Sequence, residues 1–95
     1  MTKEKTLQAQ EERGRQAQEL LNHPLIQEAF IKLKGDIIHQ FNKTELEDEK
    51  KRDNLWRQGQ LLDKLEANFI AIVKTGEHAK ISLLENAKHR LRNVI

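Results

Sequence analysis

Four basic side chains near the C-terminus, Lys80, Lys88, Arg90 and Arg92, are the residues of this sequence best suited to bind a charged partner. Residues 74–95 carry five basic and two acidic side chains, whereas residues 44–73 carry five and seven. Such a surplus favours either the phosphates of nucleic acid or an acidic patch on a neighbouring subunit. The segment has no aromatic residue on which bases could stack, so both partners stay open.

Other residue types that could do chemistry lack the spacing that it requires. The four histidines, at positions 23, 39, 78 and 89, show no metal-ligand spacing with one another or with carboxylates. Acidic neighbours such as Asp63 and Glu66 read as solvated residues of a helix face, and no glycine-rich phosphate loop is present. We therefore expect no enzyme, no metal, no cofactor and no small-molecule substrate.

The composition predicts one small domain, residues 1–95, with a thin core. Apolar residues make up 37% of the chain and charged residues 34%, which suits helices that complete their burial against a partner. The chain has no cysteine, no membrane-length apolar run and no signal-peptide pattern. These features predict a cytoplasmic protein that does not bind membranes.

The elements that must position the basic residues are all predicted to be helices. Residues 1–22 form a polar helix with few apolar positions. Pro24 disfavours helix at the residue before it and suits a first turn, so a second helix is expected over 24–42, capped by Asn22 or His23. Whether this break is a kink or a reversal is left open.

The rest of the chain predicts a long third helix and a short basic fourth. Thr44 and Glu47 fit a capping box, so the third helix is expected to start near Glu45, or else near Asp53. Thr75 and Gly76 predict its end, and residues 77–95 would form the tail helix. The predicted fold is all-α: an antiparallel hairpin over 24–75, with flanking N- and C-terminal helices.

The apolar stretch at the end of the long helix predicts an oligomer. The sequence "NFIAIV" is apolar nearly all round, so it needs cover on several sides. The tail helix, through Ile81, Leu84, Ala87 and Leu91, would cover one side and a second copy another. The predicted interface is Leu55, Trp56, Leu62, Leu65, Phe69, Ile70, Ile72 and Val73.

Three residues within the helices leave two alternatives each. Gly35 and Gly59 mark either a close approach of two helices or tolerated surface positions. Trp56 is either a core aromatic near the turn or an exposed anchor for a partner.

The chain resembles small helical-hairpin proteins encoded in tailed bacteriophages and prophages. The resemblance covers about residues 13–80 and lies in three motifs: "LLNHPLIQEAF", "RDNLW" and a "DKL" followed by "TG". Phe41-Asn42-Lys43-Thr44 departs from the family pattern, which has a proline there, and the basic tail is not covered. The resemblance implies a helical hairpin, encoded among genes for virion assembly and DNA packaging. It implies no catalytic residues.

Together these features lead us to expect a non-enzymatic, homo-oligomeric phage assembly protein. It would act in DNA packaging, like a small terminase subunit, or as a head adaptor, in the infected host cytoplasm or the virion. DNA or another phage structural protein would be its partner. The alternatives are a phage-encoded inhibitor of a host protein and a scaffold or decoration component of the virion.

Overall fold

A computed structural model describes residues 2–94, with side chains through Arg92. This part of the chain holds three helices: α1 (Lys3–Asn22), α2 (Pro24–Lys43) and α3 (Glu49–Val94). No strand occurs between residues 2 and 94, so the prediction of an all-helical protein is confirmed. The predicted fourth helix is wrong, because its residues continue α3.

The break between α1 and α2 is a local consequence of Pro24. His23 is extended, with φ −69° and ψ 127°, and its Nδ1 accepts a hydrogen bond from the Leu25 backbone N–H at 3.1 Å. Pro24 then occupies the first turn, where its missing N–H costs nothing. A separate helix beginning at Pro24 is thus confirmed, with His23 as its cap.

The connection between α2 and α3 differs from the predicted capping box. Thr44 ends α2, and its hydroxyl donates to the Phe41 carbonyl at 2.6 Å. Asp48 instead caps α3, since its carboxylate accepts from the Lys51 backbone N–H at 3.2 Å. The two starts expected from the sequence, near Glu45 and near Asp53, are therefore wrong. A short turn follows Thr44, and the Asp48 cap begins α3 at Glu49, four residues before Asp53.

Helix α3 passes through Thr75 and Gly76 without interruption, so the predicted helix end there is wrong. Gly76 keeps a negative φ and is buried. A Cβ on it would lie 2.7 Å from the Gly14 Cα of α1, far inside normal contact. Gly76 serves a close approach of two helix backbones and does not stop a helix.

The described chain divides into two compact units. The terminal unit joins residues up to Leu20 with residues from Phe69 onward, and the central unit is Leu21–Asn68. One domain over residues 1–95 stays a prediction.

Within the central unit, α2 lies against the first part of α3. The Lys34 ammonium is 3.4 Å from the Glu66 carboxylate and 3.7 Å from that of Asp63. Further along α2, Ile37 faces Gly59, and Thr44 accepts from the Arg52 guanidinium at 3.0 Å. As the residue number in α2 increases, the residue number of its contact in α3 decreases.

Within the terminal unit, α1 lies against the last part of α3 with the same order of contacts. Glu4 at the start of α1 forms an ion pair with Arg90, while Gly14 meets Gly76. The buried hydrophobic residues of the described chain are Ala17 and Ala79, in this unit, and Leu55, in the central one.

Candidate interaction surfaces

The predicted oligomer interface is divided between covered and exposed side chains. Leu55 is only 4% exposed, because its own chain covers it, so it is not available to a second copy in this conformation. The side chains of Leu62, Phe69, Ile72 and Val73 are half-buried. Trp56, Leu65 and Ile70 are exposed and stay candidates for contact with another molecule.

Trp56 is 58% exposed, so the alternative that it is a core aromatic is wrong. The side chain that lies beside the turn instead is Arg52, whose guanidinium carbon is 4.2 Å from the centre of the Phe41 ring. The Arg52 guanidinium also donates to the Thr44 hydroxyl. Arg52 thus closes the turn, and Trp56 is left facing outward.

The glycines within α2 and the first part of α3 do not make a close approach. A Cβ on Gly35 would meet open space, and one on Gly59 would be 3.9 Å from the Ile37 Cγ2, an ordinary contact. The surface alternative therefore holds for Gly35, whereas Gly59 is half-buried and faces α2 at an ordinary contact distance. The close approach belongs to Gly14 and Gly76, which the sequence pattern did not single out as a pair.

The central unit carries an exposed leucine face. Leu25 and Leu33 of α2 and Leu61 and Leu65 of α3 are between 48% and 67% exposed. At 3.6 residues per turn, each pair lies on one flank of its helix, beside the stripe that packs inward. The apolar spacing of α2 predicts Leu33 within its packed stripe and Leu25 beside that stripe, and both predictions are wrong, because both side chains are exposed. Leu61 was missed, although its spacing of four from Leu65 was a signal.

The last part of α3 carries a second exposed apolar stripe. Ile81, Leu84 and Leu91 are 54%, 55% and 64% exposed, whereas Ala79, Ser82, Leu83 and Asn86 turn inward. The expectation that Ile81, Leu84, Ala87 and Leu91 cover the apolar end of the long helix is wrong. They belong to that same helix and lie on its exposed side.

The predicted basic residues Lys80, Lys88, Arg90 and Arg92 are all exposed. The ion pair between Arg90 and Glu4 brings the start of α1, with Lys3 and Lys5, to this end of the terminal unit. Basic side chains from both ends of the chain therefore gather there, a grouping that only the packing of α1 on α3 creates.

Glu12 and Arg15 form an exposed cluster on α1. The Arg15 Nε donates to the Glu12 carboxylate at 3.1 Å, and Arg15 also pairs with Glu19. The hydrogen bond from Arg15 lowers the pKa of the Glu12 carboxyl below its ordinary value. Bonding to Glu12 correspondingly raises the pKa of Arg15.

Between residues 2 and 94, no group of three or more His, Asp or Glu side chains is arranged to hold a metal ion. None of the helices in the described range combines the length and the apolar character that a bilayer span requires. The groove between α1 and α3, about 260 Å³ and lined by residues that include Gln10, Arg13 and Ile72, is open to solvent.

Comparisons with protein-family models, with curated proteins and with solved structures give no match.

Proposed function

We propose that this protein is a non-enzymatic helical assembly protein that associates with further copies of itself. Its central unit would act as an antiparallel helical hairpin, α2 against the first part of α3. The observation that carries the proposal is the distribution of apolar side chains. Thirteen large hydrophobic residues are exposed, while Ala17, Leu55 and Ala79 are the hydrophobic residues buried in the described chain.

Self-association supplies the cover that the single chain lacks. Scattered apolar residues are normal on protein surfaces, but contiguous ones indicate an interface. In the leucine face, Leu25 and Leu33 each directly precede a less exposed residue of α2, and Leu61 and Leu65 each directly precede one of α3, so an antiparallel pairing would bring the two exposed flanks together. We infer that this face binds a second copy.

The resemblance to phage-encoded hairpin proteins extends this proposal to a biological setting. The protein would assemble in DNA packaging, like a small terminase subunit, or as a head adaptor, in the host cytoplasm or the virion. The gathering of Lys3 and Lys5 with Arg92 supports contact with duplex DNA, since phosphate binding needs a cluster of cations.

The test of self-association is the solution mass by light scattering. We expect the wild type to be oligomeric and Leu61→Gln with Leu65→Gln to have a lower mass. Lys64→Gln is the control. It also introduces glutamine, at an exposed position close to the two leucines, and it should keep the wild-type mass. A monomeric wild type would contradict the assembly function. An oligomer unaffected by the double change would mean that the leucine face is not the interface.

DNA contact has a separate test. Lys3→Gln with Lys5→Gln should weaken binding to duplex DNA and reduce the slope of log affinity against log salt by about two. Lys32→Gln, an exposed change in α2, is the control. If wild type and double variant bound DNA equally, the basic end would have no such role.

The exposed Trp56 favours a second candidate, an inhibitor of a host protein, because exposed tryptophans are frequent anchors at interfaces. It is the single tryptophan of the chain, so its fluorescence reports its own surroundings. A monomer whose emission shifted to the blue only in host lysate fractions would favour this candidate. A shift on self-association would favour assembly.

A further inference from the structure

The exposed stripe on the last part of α3 has the spacing of a coiled-coil seam. Ile70, Ile81, Leu84 and Leu91 share the helix side that faces away from α1, and all are at least 40% exposed. Lys74, Glu77 and Lys88 fill the positions between these apolar residues. The whole set then follows steps of four and three residues in turn, which is the heptad pattern of residues that meet a partner helix. We call this set the outer seam.

The inward side of the same segment is already occupied. Gly76 and Ala79 are buried against α1, and Leu83 is half-buried. Helix α3 thus carries one seam that α1 covers and a second, on the opposite side, whose apolar residues are 40% to 64% exposed. An additional helix is needed to bury the outer seam.

The charges of the outer seam indicate which helix fits. A parallel, in-register copy would place Lys88 against Lys88 and Glu77 against Glu77, and like charges at such positions repel. In an antiparallel pair with its two-fold axis at the level of Ser82 and Leu83, Glu77 of each copy instead meets Lys88 of the other.

The same register also matches the apolar positions. Ile81 meets the second copy's Leu84, and Leu84 meets its Ile81, which is the usual pairing of the two apolar heptad positions in antiparallel helices. Lys74 meets Leu91, and the aliphatic stem of a lysine can cover a leucine. The contact from residue 74 to residue 91 would be about 26 Å long.

Building on the proposed self-association, we propose that the outer seam is a homodimer interface in which two copies of α3 pair antiparallel, with reciprocal Glu77–Lys88 ion pairs. The leucine face and the outer seam are then two separate interfaces on each copy. Two interfaces per chain build assemblies larger than a dimer.

A charge exchange tests this geometry without touching the buried residues. Sedimentation equilibrium should show that Glu77→Lys and Lys88→Glu each weaken the seam contact about tenfold or more. The double variant, with both changes in one chain, should recover the wild-type association. Lys64→Glu, outside the seam, is the control for the change in net charge.

Engineered cysteines give the direction of the pairing, since the chain has none of its own. An oxidised mixture of Glu77→Cys and Lys88→Cys chains should yield the mixed disulfide, because the bond requires Cα atoms within about 7 Å. Lys88→Cys alone should not form the disulfide at the same protein concentration. A Lys88→Cys homodimer would indicate a parallel pair and overturn the proposal.

The outcomes separate this proposal from the proposed function. An oligomeric wild type that neither single charge change affects, or that the double variant fails to restore, overturns the seam geometry and leaves self-association standing. A wild type that is monomeric at all concentrations overturns both.

Discussion

At the scale of single residues, the contact between Gly14 and Gly76 sets how closely α1 and α3 can approach. A Cβ on Gly14 would lie 2.7 Å from the Gly76 Cα and 3.2 Å from the Ile72 carbonyl oxygen. Both atoms belong to the backbone, so they cannot move aside as a flexible side chain would. Either glycine can therefore be replaced only by separating the helices.

We predict that Gly14→Ala lowers the free energy of unfolding by about 1–3 kcal/mol, because the overpacking outweighs the helix preference of alanine. Gly35→Ala is the matched control, since its Cβ would meet open space. It should raise the stability by up to about 1 kcal/mol. Urea unfolding followed by circular dichroism measures both, and equal effects would argue against the close approach.

The cluster of Glu12 and Arg15 predicts a dependence on pH. The lowered pKa of Glu12 means that its ionised form is favoured in the folded chain. Its contribution is present above the ordinary carboxyl pKa and is lost as pH falls through the lowered value. Arg15→Gln should return the Glu12 pKa towards normal in an NMR titration, and an unchanged value would contradict the hydrogen bond as its cause.

At the scale of elements, the turn between α2 and α3 is held by one side chain from α3. Arg52 stacks on the Phe41 ring and donates to the Thr44 hydroxyl, which itself closes the last turn of α2. The guanidinium can do both because it is planar and carries several donors. Arg52 thus ties the first part of α3 to the end of α2.

We predict that Arg52→Ala lowers the free energy of unfolding by about 1–2 kcal/mol, through the lost ring contact and hydrogen bond. Arg57→Ala is the control, because Arg57 pairs with Asp53 across exposed surface at 3.1 Å. That change should cost less than about 0.5 kcal/mol. Chemical denaturation is the measurement, and a similar loss in both variants would remove the special role of Arg52.

At the scale of the whole molecule, most of the large apolar side chains of the described chain lie outside the fully buried core. Trp56, the leucine face and the outer seam are exposed, while two of the three hydrophobic residues that are buried in the described part of the chain are alanines. Alanine burial removes little apolar surface from water, so most of the apolar burial within the chain comes from half-buried side chains such as Leu62 and Phe69, which keep part of their surface in water. Much of the stability should come from association.

We predict that the thermal midpoint of unfolding rises by roughly 5 °C when the protein concentration is raised about 100-fold, because association stabilises the folded state by mass action. Scanning calorimetry at the two concentrations measures it. Lys88→Glu should reduce the rise if the outer seam contributes. A midpoint independent of concentration would mean that the single chain is stable alone.

The sequence by itself determined the features that depend on neighbouring residues. The all-helical class follows from local propensity, and both the end of α1 and the start of α2 follow from the geometry of Pro24. The basic character of the tail is likewise a property of the sequence alone.

The tertiary structure decided the features that depend on residues far apart in the chain. A threonine followed by glycine is compatible with a helix end and also with a close helix contact, and Gly14 decides between them at Gly76. The apolar residues of α3 surround the helix, so periodicity could not tell Ile81 and Leu84 from residues that α1 covers. Burial is a property of the packed pair of helices, and a single helix does not contain that information.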